Sequence, residues 1–151
     1  MDVSDLKGLN SEVRKRMDAQ LEHVRRELGS VRTGRASVGI LDTVGVTLAG
    51  SNDPSATILA EALASGSGPS LAFGTARRVS PLDAALVNGT ASHALDFDDC
   101  NNTLGGHPSA PILPALFALA DDTGASGRDF IAAYVAGFET ECKLSMGVNF
   151  Y

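Results

Sequence analysis

A mainly α fold follows from three observations on this sequence. Apolar residues recur at steps of three and four near its start. Cap-and-proline signals recur through its middle, and runs with strand-like alternation are sparse. One long amphipathic helix is therefore expected ahead of a Gly- and Ala-rich helical segment.

Val3, Leu6, Leu9, Val13, Met17, Leu21, Val24, Leu28 and Val31 form one stripe along the first helix. Arg14, Lys15, Arg16, Arg25 and Arg26 lie mostly off that stripe. Ser4 or Asp5 caps the start, and Gly29 or Gly34 supplies the end. Such a helix packs its stripe on other helices and leaves its basic face in solvent.

The texture changes after Gly39. Ile40 to Leu48 is apolar, ends at Ala49-Gly50, and reads as a short buried helix. Asp53-Pro54 supplies a cap and a first-turn proline for a helix through Leu63. Gly66 to Ser70 is a loop, Leu71 to Gly74 a short extended piece, and Arg77-Arg78 the following turn. Ser80-Pro81-Leu82-Asp83 is a capping box with proline, and it starts a helix expected to run to about Asp98. After a loop of Asn101 to Gly106, His107-Pro108-Ser109 opens a helix to Asp122, with Gly124 beyond its end. Ser126-Gly127-Arg128-Asp129 repeats the capping pattern and begins a last helix toward Met146.

Composition narrows the function classes. A hydrophobic fraction of 44% with 20% charged residues is ordinary for a globular chain and argues against wholesale disorder. No apolar run reaches the ~18 residues needed to span a bilayer, and the charged N-terminus lacks a signal peptide's apolar stretch. The expected compartment is the cytoplasm, without membrane association, and the thiols of Cys100 and Cys142 are expected to be reduced. The net charge of −6 argues against general nucleic-acid affinity, but it is unevenly spread. Residues 1–38 hold eight Lys/Arg against six Asp/Glu, whereas residues 39–151 hold four against twelve. That asymmetry suggests two segments with different origins or partners, joined near Ile40 to Val44.

Chemistry-bearing residues concentrate in one stretch: His93, Asp96, Asp98, Asp99, Cys100 and His107. On a continuing helix His93, Asp96 and Cys100 share a face, and Asp98 points away toward solvent or a cap. His107 then sits at the N-terminus of the next helix, where an anion is favoured. Asp96 and His107 handling protons beside a bound carboxylate make a coherent acid–base site. Three alternatives stay open on spacing alone. The acids and His107 simply end and cap helices; His and Asp hold a metal, although no familiar ligand spacing is present; or Cys100 and His107 form a nucleophilic pair.

Several motifs occur in order over residues 40–151. They are Leu41-Asp42-Thr43-Val44-Gly45-Val46-Thr47-Leu48-Ala49-Gly50, Ala84-Ala85-Leu86-Val87-Asn88-Gly89, His93-Ala94-Leu95-Asp96-Phe97-Asp98-Asp99 and His107-Pro108-Ser109-Ala110-Pro111. This segment resembles the MmgE/PrpD family, which includes 2-methylcitrate dehydratase and cis-aconitate decarboxylase. The resemblance implies a truncated part of that family's large helical domain and a metal-independent lyase, without cofactor, for small polycarboxylates. It places Asp96 and His107 in catalytic roles, with His93 and Cys100 as substrate contacts and no metal ligands. The family usually has Thr where Cys100 stands, and the loop to His107 is one residue longer here than in the decarboxylase. A thiol is the weaker hydrogen-bond partner.

Glu12-Val13-Arg14-Lys15-Arg16-Met17 and Val31-Arg32-Thr33-Gly34-Arg35-Ala36-Ser37 resemble the start of ribosome recycling factor. That resemblance assigns residues 1–39 to a separate amphipathic helix and offers ribosome binding as an alternative function. The expectation for the whole chain is an N-terminal lyase fragment, inactive alone, which takes a small polycarboxylate and self-associates as a homodimer. A fusion or truncation product without evolved function is the remaining alternative.

Overall fold

The computed structural model describes residues 8, 14–15, 33–63 and 66–148. These residues are mainly helical, as expected. The chain separates into two compact units, residues 1–32 and 33–151. In the first, Gly8, Arg14 and Lys15 are helical and exposed; the rest of the helix expected over residues 4–31 lies outside the described residues.

The second unit opens with α1, Thr33–Gly50. The short helix expected at Ile40 to Leu48 is the latter half of this longer one, and Gly34 lies inside it. Glycine is a poor helix former, yet at Gly39 its small size serves packing, because a Cβ there would come within 2.9 Å of the Tyr134 hydroxyl. Thr43 and Thr47, one turn apart, are buried on the inner face. The helix ends at Gly50, where a Cβ would collide with the carbonyl oxygen of Ala91.

Helix α2, Pro54–Ala62, starts as the cap signal predicts: Asp53 accepts hydrogen bonds from the Ser55 backbone N–H and hydroxyl. Those two bonds hold the Asp53 carboxyl below its ordinary range. A two-residue hairpin pairs β1, Ser70–Leu71, with β2, Arg78–Val79, in antiparallel register. Arg78, expected in a turn, therefore lies in a strand. The buried Asn88 fastens this hairpin to the helices. Its Oδ1 accepts from the Phe73 N–H at 2.8 Å, and its Nδ2 donates to the Leu71 carbonyl at 2.9 Å.

Helix α3, Pro81–His93, is capped by Ser80 Oγ, which accepts from the Asp83 N–H. It ends five residues before the expected Asp98. Ala94 and Leu95 form a turn, and Asp96 takes the left-handed conformation at φ 55°, which short polar side chains tolerate better than most. Helix α4, Ser109–Thr123, packs on α3 and closes at Gly124, left-handed at φ 65°. Helix α5, Gly127–Val148, packs on α4 and completes the described fold.

Two apolar clusters hold these elements. Ala72, Val79, Ala84, Val87 and Ala118 join the hairpin, α3 and α4. Leu113 and Tyr134, with Ile40, Phe117, Phe130 and Phe138 against them, join α1, α4 and α5. Val38, Leu41 and Leu48 on α1 and Leu144, Met146 and Val148 on α5 stay exposed. No helix among the described residues is long and apolar enough to cross a membrane.

Candidate active site

The early end of α3 creates the site. Because the chain turns at Asp96, the helical spacing that would align His93, Asp96 and Cys100 on one face does not apply. The left-handed residue folds the chain back instead, and Asp98 comes to lie beneath His93. Asp98 is thus not the solvent-facing residue expected from the sequence. Its side chain has 0% exposure, while that of His93 has 54%. Nδ1 of His93 lies 3.0 Å and 3.1 Å from the two Asp98 oxygens.

His107 reaches the same place from the other side. Its Nδ1 is 3.4 Å from Asp98 Oδ2, and its Nε2 is 3.4 Å from Asp96 Oδ1. The two imidazoles meet edge to face, with ring centroids 4.8 Å apart. Cys100 Sγ lies 3.7 Å from His107 Nδ1. The four residues named from the sequence, His93, Asp96, Cys100 and His107, are therefore gathered together, with Asp98 added as the buried hub. The signal for Asp98 was its acidic character alone; its position depends on the backbone at Asp96.

A hydrogen-bonded loop fixes where His107 sits. Asn101 and Gly106 form an isolated antiparallel bridge, and Asn101 Oδ1 accepts from the N–H groups of Thr103 and Leu104. Ser145 Oγ on α5 donates to the Leu104 carbonyl. At the loop's end Asp99 accepts from both the Ser109 N–H, at 3.1 Å, and the Ser109 hydroxyl, at 2.7 Å. Asp99 thereby satisfies a free N–H at the start of α4 that no adjacent side chain caps. Ser109 has one hydroxyl proton, directed at Asp99. The Tyr134 hydroxyl, 2.7 Å away, must then donate to Ser109 Oγ. Burial holds the Tyr134 hydroxyl above its ordinary pKa and so disfavours its ionisation; the hydrogen bond with Ser109 opposes this, and the charges of Asp99, Asp42 and Glu141 add to it.

Glu141 lies at the edge of this network. Its Oε2 is buried without a hydrogen-bond partner among the described residues. Burial, then repulsion by Asp99, pushes its carboxyl above the usual carboxylate range.

Beside the cluster is an open cleft of about 740 Å³, lined by residues of α3 and α4 and by Ser55 of α2. His93 and His107 form its polar end, and Leu86, Gly89, Ala110, Pro111 and Ala115 are among its walls. No Lys or Arg lines it among the described residues. The arrangement offers two imidazoles and an exposed carboxylate for proton transfer. Among the described residues it supplies no fixed cation to neutralise an anionic ligand.

The family model of the MmgE/PrpD N-terminal domain matches residues 24–151. The match begins upstream of Ile40 and includes the Arg32-Thr33-Gly34-Arg35 stretch. A cis-aconitate decarboxylase-like protein of Aspergillus oryzae is 35% identical over 115 residues, which are 70% of this chain and 24% of that protein. Human cis-aconitate decarboxylase is 41% identical over 71 residues, 44% of this chain and 15% of the enzyme. The mouse enzyme is 39% identical over a segment of the same length. The chain thus spans about a quarter or less of the curated relatives it matches.

Proposed function

The chain belongs to the MmgE/PrpD family, and from that premise we propose that its helical segment forms the proton-transfer wall of a lyase site. The substrates on this reading are small polycarboxylates such as cis-aconitate or 2-methylcitrate. The observation that carries it is the 3.4 Å approach of His107 Nε2 to Asp96 Oδ1 beside the cleft.

Dehydration takes a proton from carbon and delivers one to the departing hydroxyl. Decarboxylation breaks a carbon–carbon bond, releases carbon dioxide, and adds a proton to the carbon that keeps the electron pair. Either reaction needs groups that give and take protons at fixed positions. Asp98 sets the imidazoles for this work: with Nδ1–H of each ring facing the buried carboxylate, His93 Nε2 stays open as an acceptor, and His107 Nε2 faces Asp96 Oδ1 across a gap that one shared proton bridges. Asp96 and His107 then exchange a proton with the substrate, and His93 and the Cys100 thiol contact it.

Charge neutralisation falls outside this wall. A polycarboxylate needs cationic partners, and the reading assigns them to the remainder of a full-length enzyme. The chain alone is expected to show little or no turnover. Incubation with cis-aconitate or 2-methylcitrate, followed by proton NMR of the products, tests this. Turnover abolished by Asp96→Ala and His107→Ala would contradict the incompleteness of the site. Turnover indifferent to both variants would contradict the residue assignment itself.

A further inference from the structure

We propose that His93, Asp96, Asp98 and His107 together bind one divalent transition-metal ion of the zinc class. Each offers one ligand atom, and these atoms all lie within 4.8 Å of one another. A tetrahedral zinc ion with bonds of about 2.0–2.2 Å sets its ligand atoms roughly 3.3–3.6 Å apart. Contacts in the group already approach that spacing: His93 Nδ1 lies 3.0 Å from Asp98 Oδ1, and His107 offers either Nδ1, 3.4 Å from Asp98 Oδ2, or Nε2, 3.4 Å from Asp96 Oδ1, one of which a single ion would take. The widest gap, up to 4.8 Å, must close by about 1 Å, through rotation of the exposed His93 and Asp96 side chains.

The donor set chooses the ion. Two imidazoles with two carboxylates suit zinc, cobalt or nickel better than magnesium or calcium, which prefer oxygen throughout. Electrostatics favours a cation over an anion here. Asp96 and Asp98 face the imidazoles, and no Lys or Arg lines the cleft among the described residues. Asp98 provides the rigid anchor, because its side chain has no exposed surface and already faces both rings. His93 and Asp96 are 54% and 78% exposed, so an ion can enter directly from solvent. Binding shifts a proton between ring nitrogens wherever Nδ1 becomes the ligand, with no net oxidation or reduction.

The bound ion would tie the end of α3 to the segment before α4. It would also occupy the Asp96–His107 pair and so exclude a carboxylate substrate. That last consequence rests on the proposed lyase site; the cation site does not.

Isothermal titration of the tag-free chain with Zn²⁺ alone tests the proposal, with Co²⁺ absorption as a second readout. One saturable site per chain is expected. His93→Gln and Asp96→Asn each weaken it at least about tenfold, and Asn suits the left-handed backbone at position 96, so that variant retains the fold. His23→Ala and Cys100→Ser leave affinity within about twofold, and the cobalt complex shows visible tetrahedral bands without thiolate charge transfer. No saturable site, unchanged affinity in His93→Gln and Asp96→Asn, or loss of the site in Cys100→Ser would overturn it. Carboxylate binding, measured separately without metal, reports on the lyase reading independently.

Discussion

The buried carboxylate of Asp98 lies 3.0 Å from Nδ1 of His93, although the His93 ring itself is half exposed. One acid with no solvent contact thus orders an imidazole at the cleft mouth, and it faces His107 from the same position. Replacing Asp98 by Asn keeps the shape but sets an amide N–H against one of the two rings. A charged hydrogen-bond acceptor in this setting contributes about 1.5–3 kcal/mol. Asp98→Asn is expected to lose that much in urea denaturation, and His93→Gln less, because its ring is half in solvent. Equal stability of Asp98→Asn and the parent chain would refute the ordering role.

Asn88 joins α3 to the hairpin through two backbone groups. Asn88→Ala leaves the Phe73 N–H and the Leu71 carbonyl without their partner. At about 1–3 kcal/mol for each group left unpaired, the loss is expected to be at most about 2–6 kcal/mol, and nearer the lower figure because both groups are only part-buried. Chemical denaturation measures it directly.

Two glycines of α1 give a paired test of helix packing. A Cβ at Gly50 runs into the Ala91 carbonyl, whereas one at Gly45 meets nothing within 4 Å. Gly50→Ala is expected to destabilise by about 1–3 kcal/mol through overpacking. Gly45→Ala is expected to stabilise by about 0.4–1 kcal/mol through helix propensity and the unfolded chain. Thermal melts of the two variants should move in opposite directions.

Glu141 makes stability depend on pH. Its folded-state carboxyl is raised above the ordinary value of 4.5, chiefly by burial and then by Asp99. A raised group stabilises the fold fully below that ordinary value and loses its contribution as pH climbs through the elevated one. Glu141→Gln is therefore expected to be more stable than the parent chain at pH 7, by about 1 kcal/mol or less. The difference should disappear below about pH 4. A constant difference across pH 4 to 8 would contradict the assignment.

What the sequence made legible was local chemistry. Asp53-Pro54 and Ser80-Pro81 start helices as read, because cap and proline signals act within one turn. The end of α3 was not legible, since Ala94 and Leu95 continue an apolar helical texture. The stop comes from the left-handed backbone at Asp96 and from contacts Asp98 makes only after folding. Asp99, Ser109 and Tyr134 meet across ten and twenty-five positions, beyond any periodic signal. His93, Asp96, Cys100 and His107 stand out in the sequence all the same, because four side chains of three reactive types crowd one short stretch. Their arrangement around Asp98 needed the fold.

The central claim, that this corner receives a small polycarboxylate, is tested most directly by histidine ring NMR during a titration with cis-aconitate. The account predicts saturable shifts at His93 and His107, none at His23, and loss of the His93 response in His107→Gln. No change at His107 at saturating ligand, or an equal response at His23, would contradict it.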